Sequence, residues 1–187
     1  MRAAGSAPIL ATARLRLRPL TLDDAPWYLA HFSRPGIVHG SGFPAPPDLD
    51  AARAELRRFV LDLVAAGTGM RWGIAERGSD ELVGSIGYYR LVDWPRRQAE
   101  IGYDLVPERW GRGIMTEALE AMVSYCTKVI GVERLEALVL LDNERSARLL
   151  DRAGFHREGV LREHGTNELG DPCDEILFVR TAGTSEP

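Results

Sequence analysis

The stretch Pro107-Glu108-Arg109-Trp110-Gly111-Arg112-Gly113-Ile114-Met115-Thr116-Glu117-Ala118 decides the fold, because a strand gives way there to a helix through two glycines. Upstream, Ala99 to Val106 alternates with a period of two and reads as a strand. Downstream, a helix from about Gly113 to Ile130 precedes a nearly all-apolar strand, Leu135 to Leu141. That succession predicts a right-handed parallel βαβ unit. Further upstream, Trp72 to Glu76 and Leu82 to Leu91 also alternate. The tight connection Gly78-Ser79-Asp80 and the looser one at Asp93 to Arg97 make these strands antiparallel neighbours.

Working outward, Leu15, Leu17 and Leu20 alternate with Arg14, Arg16 and Arg18 as a half-buried first strand. Thr21 with Asp24 resembles a capping box for a helix bearing Trp27, Tyr28 and Phe32, which Pro35 and Gly36 stop. A longer helix after Pro46 and Pro47 presents Ala52, Leu56, Phe59, Val60 and Leu63 at helical spacing, with Gly67 in the left-handed position past its end. On the other side, Asn143 opens a short helix through Leu149, Leu150 and Ala153 to Gly154. Phe155 to Arg162 and Glu175 to Arg180 then form a closing antiparallel pair. The order β α α β β β α β α β β predicts a mixed α/β (α+β) domain: a central, mostly antiparallel sheet with one parallel βαβ unit, flanked by helices.

The 187 residues suit a single domain, placed at 10–180 between small or polar tails at 1–9 and 181–187. Hydrophobic residues at 45% and charged residues at 27% exclude collagen-like, disordered and coiled-coil classes. A net charge of −4 is the wrong sign for a nucleic-acid surface. Met1 to Pro8 lack the apolar region of a signal peptide, and no apolar run approaches the roughly 20 residues that span a bilayer, so neither export nor a membrane is expected. Cys126 and Cys173 form neither a disulfide framework nor, without a Cys/His cluster, a metal site; a reducing cytoplasm and no metal are expected.

The glycine turn can hold an anion. The first amides of a helix lack intrahelical partners and carry about half a positive charge, so a phosphate there finds donors and field together. Gly111 and Gly113 bring no Cβ, and Arg109 and Arg112 add countercharge, which Glu117 and Glu120 partly oppose. The competing reading is a plain strand-to-helix turn. Two other phosphate loops fail on spacing: no Gly-Lys is followed by Ser or Thr as a Walker loop needs, and GxGxxG would require glycine where Thr116 stands.

Taken together, these pieces resemble the GNAT superfamily of acetyl-CoA-dependent N-acetyltransferases, in its RimJ/RimL-like branch, which acetylates protein N-termini. The resemblance covers roughly Leu10 to Arg180. It is most specific at Ala99-Glu100-Ile101-Gly102-Tyr103, at Trp110 to Ala118, at Asn143-Glu144-Arg145-Ser146 with Leu149-Leu150, and at Gly154-Phe155 followed by Glu158 to Arg162. The superfamily loop, (Gln/Arg)-x-x-Gly-x-(Gly/Ala), puts Trp110 and Met115 in departing positions. The resemblance implies that Leu105, Val106, Arg109, Trp110, Gly111, Arg112, Gly113, Ile114, Met115, Thr116, Asn143 and Ser146 bind acetyl-CoA. The amides of Gly111 to Thr116 would cradle the pyrophosphate, and the pantetheine would lie as a pseudo-strand between the two parallel strands where they part. Gly102 suits either a bulge that starts this parting or packing.

Acetyl transfer needs a neutral amine, an oxyanion donor and a proton for the thiolate. An α-amine of pKa about 8 is partly neutral at physiological pH, whereas a lysine near 10.4 is not. Glu100 is the candidate base, with Glu163 and His164 behind it; the other reading of Glu100 is a solvated edge glutamate. RimL-like enzymes carry a base where Gly165 stands here, so that role is vacant or displaced. Asn143 and Ser146 share a face of the short helix. The resemblance assigns Asn143 to a CoA hydrogen bond and Ser146 to protonating the thiolate; the alternative is a helix cap and an ordinary first-turn residue. A backbone amide near Leu105 or Val106 would meet the oxyanion. A covalent route through Cys126 or Cys173 is rejected for lack of a base or a thiolate-favouring setting. Most of the aromatic residues are expected in the core, and Phe43 and Trp94, in Pro-rich loops, are the candidates among them for an acceptor pocket. The implied partners are acetyl-CoA and an amine, either a peptide N-terminus or a small amine such as a polyamine or antibiotic. A homodimer and a non-catalytic CoA-binding module stay open.

Overall fold

The structure, a computed structural model, describes residues 8–41, 44–93, 95–167 and 169–183. Phe43 and Trp94 lie outside the described residues. Among the described residues, eight strands form one sheet in the order β1-β2-β3-β4-β5-β6-β8-β7. After β1 (Leu10–Ala11), β2 (Leu15–Pro19) buries Leu15 and Leu17 completely and leaves its arginines half exposed. β3 (Met70–Glu76), β4 (Leu82–Val92) and β5 (Gln98–Leu105) continue the sheet antiparallel, as the turn residues predict. Beyond the glycine turn come α5 (Ile114–Tyr125), extended by a π turn over Cys126–Ile130, then β6 (Arg134–Leu140) and α6 (Glu144–Arg152). The hairpin β7 (His156–Thr166) and β8 (Pro172–Thr181) closes the chain, with β8 against β6; Thr181, expected in the tail, is the last strand residue. No helix among the described residues is long and apolar enough to cross a membrane.

The capping box at Thr21 and Asp24 is present, over a 3-10 turn that leads into α1 (Ala25–Phe32). This helix ends at Phe32, ahead of Pro35 and Gly36 as expected, but those two residues also begin another, α2 (Pro35–Ser41). Proline at a first helical position loses no bond, because that amide has no partner inside the helix. α3 (Leu49–Leu56) passes through a π turn at Arg57–Leu61 into α4 (Asp62–Ala66), which ends at left-handed Gly67, φ 68°. The wider π turn lags behind the helical rotation, so Val60 comes into line with Ala52 and Leu56. Phe59, expected in the core, is turned out and 40% exposed under the Arg58 guanidinium.

Two apolar cores sandwich the sheet. The larger unites Leu15, Trp72, Ile86, Ile101 and Phe178 with Ile114, Leu119 and Met122 of α5 and Leu150 of α6. The smaller gathers Tyr28, Ala52, Leu56 and Val60 of α1, α3 and the π turn against Leu20 and Leu82.

Strands β5 and β6 are the parallel pair, and they stay paired only briefly, at Gln98 with Arg134, Ala99 with Leu135 and Glu100 with Glu136. Past Glu100, β5 keeps its partner β4 as far as Leu105, and β6 keeps β8 as far as Leu140, but the two have no register with each other. The sheet therefore opens in its middle.

Candidate active site

Peptide groups line the opening. Arg97 O accepts from Glu133 N at 2.8 Å on the β6 side, whereas Val106 N donates to Val83 O at 2.8 Å on the β4 side. Peptide groups alternate along a strand, so the odd positions Ala99, Ile101, Tyr103 and Leu105 turn their N–H and C=O toward β6. At Ala99 they meet it, and from Ile101 onward no strand is opposite. Of the two amides named for the oxyanion, that of Val106 is bonded to Val83 O and that of Leu105 faces the gap. Gly102 does not make a bulge, since it pairs with Gly87 in unbroken register. A Cβ there would come within 3.2 Å of the Tyr89 ring, so the glycine serves packing.

The glycine turn stands at the open end. Gly111 and Gly113 have φ of 73° and 74°, the left-handed region that glycine enters without strain. Ile114 and Met115 are buried, so only their amides are available to an anion. Thr116 is half-buried at the third helical position and Arg112 is exposed. The first amide seen bonded within the helix is that of Glu117, to Gly113 O at 3.1 Å. Arg109 points away, its Nε 2.9 Å from Glu76 Oε1.

Two residues that sequence reasoning left without a role, Arg14 and Arg145, brace this turn together with Trp110. The Trp110 indole donates to Leu105 O at 2.7 Å, and the Arg145 guanidinium of α6 lies 3.5 Å over its ring. This departure from the superfamily loop thus ties the turn both to β5 and to α6. Arg14 donates to Arg112 O at 3.1 Å and pairs with Glu117 at 2.6 Å. Burial pushes the Glu117 carboxyl up, but hydrogen bonds from Thr12 and Arg14 outweigh it and hold the group below its ordinary value. The carboxylate expected to oppose an anion is therefore already neutralised from behind.

Across the gap, Asn143 caps α6 by accepting from Ser146 N at 3.1 Å, so the cap reading holds for Asn143. Ser146 Oγ lies 2.6 Å from the Tyr103 hydroxyl. The structure thus brings Asn143, Ser146, Tyr103, Leu105 and the glycine turn around one opening. Glu100 sits at its vertex, on the opposite face of β5 from Tyr103, with a side chain 12% exposed that accepts from Arg90 at 2.7 Å. Arg90 is itself left-handed, φ 53°, at an irregularity of β4.

On the Glu100 face, Asp104 is an almost buried carboxylate. It accepts from His31 Nε2 at 2.6 Å, Ser85 Oγ at 2.6 Å, Ser85 N at 2.9 Å and Arg71 at 2.5 Å. Burial would raise its pKa, but these donors and the Arg71 charge outweigh it and bring the group down to about 2. His31 is 2% exposed and stacked on Trp27, a structural histidine. His164 lies far along the chain on β7, bonded to Glu175 at 2.7 Å beside left-handed Glu163, φ 49°. A cleft of about 240 Å³ beside α1, lined by Trp27, His31, Arg34, Val106 and Arg109, includes none of Tyr103, Asn143 or Ser146.

Neither cysteine suits covalent catalysis. Burial pushes the Cys126 thiol up to about 12, and desolvation with Glu175, Asp142 and Asp174 nearby raises Cys173. Among the described residues no group of three or more His, Cys, Asp or Glu could hold a metal ion.

Comparison with known proteins adds the following. Residues 14–156 match the acetyltransferase (GNAT) domain family. The uncharacterized N-acetyltransferase YoaA of Bacillus subtilis is 40% identical over 171 residues, covering 91% of this chain and 95% of that protein. The ribosomal protein uS5-alanine N-acetyltransferase of Escherichia coli is 28% identical over 163 residues, 83% of this chain and 81% of its own. The structure of Mycobacterium smegmatis RimJ in complex with CoA-disulfide superposes with a TM-score of 0.81 at 24% identity, over 98% of this chain and 88% of that one.

Proposed function

The chain belongs to the GNAT acetyltransferase family, and from that premise we propose that it transfers an acetyl group from acetyl-CoA directly to the α-amine of a protein or peptide N-terminus. The observation that carries this reading is the opening between β5 and β6, where peptide groups of β5 have no strand opposite them, with the glycine turn at one end and Ser146 beside it. A pantetheine arm has two amides and is long and narrow, so it suits a slot that lacks one strand. A diphosphate suits the free amides of Ile114, Met115 and Thr116, with exposed Arg112 as countercharge. That M. smegmatis RimJ has been seen with CoA-disulfide supports the cosubstrate, and the uS5-alanine specificity in the E. coli relative's name supports the acceptor class.

In this reading the amine nitrogen attacks the thioester carbon, and the Leu105 amide stabilises the oxyanion. The carbon–sulfur bond then breaks with its electron pair going to sulfur, and Ser146 gives that sulfur its proton. Glu100 takes the proton the nitrogen loses. No acyl-enzyme is needed, in keeping with two thiols that both resist ionisation.

Incubation with acetyl-CoA and a panel of free-N-terminus peptides, lysine-only peptides and small amines, read by mass spectrometry, tests the reading. Acetylation of α-amines supports it. Turnover confined to small amines would replace the acceptor, and cofactor binding without any turnover would leave a binding module. For Glu100→Gln, kcat/KM should fall by about a hundredfold, the usual worth of a positioned general base, while the acidic limb set by the amine itself remains. An unchanged kcat/KM would move the role elsewhere.

A further inference from the structure

We propose that Tyr103 is the positioning residue for Ser146, its phenol donating to the serine oxygen so that the serine proton is left for the departing sulfur. This rests on the reading of Ser146 as the acid in acetyl transfer. The two oxygens are 2.6 Å apart. A serine hydroxyl has one proton and two acceptor sites, and within a helix its proton is readily drawn to a carbonyl of the preceding turn. A donor on the serine oxygen removes neither the proton nor its freedom to point into the opening, but it fixes where the oxygen sits.

The phenol is the stronger acid of the pair and so the natural donor. Burial pushes the Tyr103 hydroxyl up to about 12, which keeps it protonated around pH 8, where an α-amine becomes neutral. The surroundings hold both ends still. Tyr103 is an odd-numbered β5 residue packed against the larger core, in the segment that has no β6 partner. The Ser146 main chain is fixed by Asn143 Oδ1, and its neighbour Arg145 is stacked on Trp110, which is itself bonded to Leu105 O. Two consecutive residues of α6 therefore grip the same arm of β5, and the contact between Tyr103 and Ser146 is the one that ends on a reactive group.

In the reaction, Ser146 Oγ–H passes its proton to the sulfur as the carbon–sulfur bond breaks, and the serine oxygen regains a proton through solvent, balanced by the one the amine nitrogen releases. Tyr103 keeps its own proton throughout.

The test is a double-mutant cycle with Tyr103→Phe and Ser146→Ala, measuring kcat and the KM for acetyl-CoA. A thiolate is a fair leaving group unaided, so Ser146→Ala should lower kcat by about tenfold. Tyr103→Phe should lower it by about fivefold, the worth of one hydrogen bond, with KM changed by less than about twofold. In the Ser146→Ala background, Tyr103→Phe should add less than about twofold. Tyr103→Phe without effect on kcat, or with its full effect in that background, would overturn the proposal while leaving Ser146 as the acid. Ser146→Ala without effect would instead overturn the reading of Ser146. Coenzyme binding by calorimetry in both variants establishes that the cofactor site has folded.

Discussion

Gly113→Asp should weaken acetyl-CoA binding by roughly a hundredfold or more, while Gly113→Asn should weaken it only a few-fold. Both side chains enter the left-handed region more readily than other non-glycine residues, so both accept much of the φ of 74° that this position demands. Space does not separate them either, because the nearest atom to a Cβ would be the flexible end of Arg14, 3.4 Å away. What differs is one negative charge facing the diphosphate. At about 4 Å, and with screening typical of a protein surface, a unit pair interacts by up to about 4 kcal/mol. A factor of ten in affinity corresponds to about 1.4 kcal/mol. Isothermal calorimetry with CoA measures both variants, and equal affinities would remove the phosphates from this turn.

Asp104→Asn should destabilise the fold by about 3–5 kcal/mol, the cost of removing one partner from a buried ion pair. Asparagine has the same shape, but its NH2 group would face one of the donors from His31, Ser85 or Arg71, and the Arg71 charge would lose its counterion. For a domain of this size each kcal/mol lowers Tm by roughly 2–4 °C, so a fall on the order of 10 °C is expected. The pH dependence has a definite sign. The Asp104 pKa of about 2 lies below the unfolded value near 3.9, so its contribution is complete above about pH 5 and is lost as pH falls through 4 toward 2. The acid limb of stability should therefore be shallower in the variant. A Tm within about 2 °C of the parent would mean that these bonds contribute little.

What the sequence made legible follows from physics that is local. Leu15 and Leu17 alternate with arginine because one face of β2 is buried, and Thr21 with Asp24 announces a helix start because the bonds run within four residues. The glycine pair reveals the turn because left-handed backbone is costly for other residues. The π turn that rotates Phe59 outward escapes such reading, since the same apolar spacing fits a regular helix. The far end of β7, Glu163 to Thr166, escapes it too, because this stretch is mostly exposed and alternation has nothing to record. The parting of β5 from β6 is a relation between two strands and leaves no mark on either. Tyr103 was visible within a motif, yet its role needs Ser146, 43 residues away, and the bracing of Glu117 needs Arg14, 103 residues away.

Strand β5 carries two sets of obligations on a two-residue beat. Its odd residues face α5 and α6 with their side chains and the gap with their peptide groups, while Glu100, Gly102 and Asp104 answer to the opposite layer. Inserting or deleting one residue between Glu100 and Leu105 would invert this phase. The carboxylate would land among aliphatic groups, the phenol would face Arg71, and the peptide dipoles along the gap would swing toward β4. Point changes along this strand are local injuries, but a slip of a single position would dismantle both sides of the sheet at once.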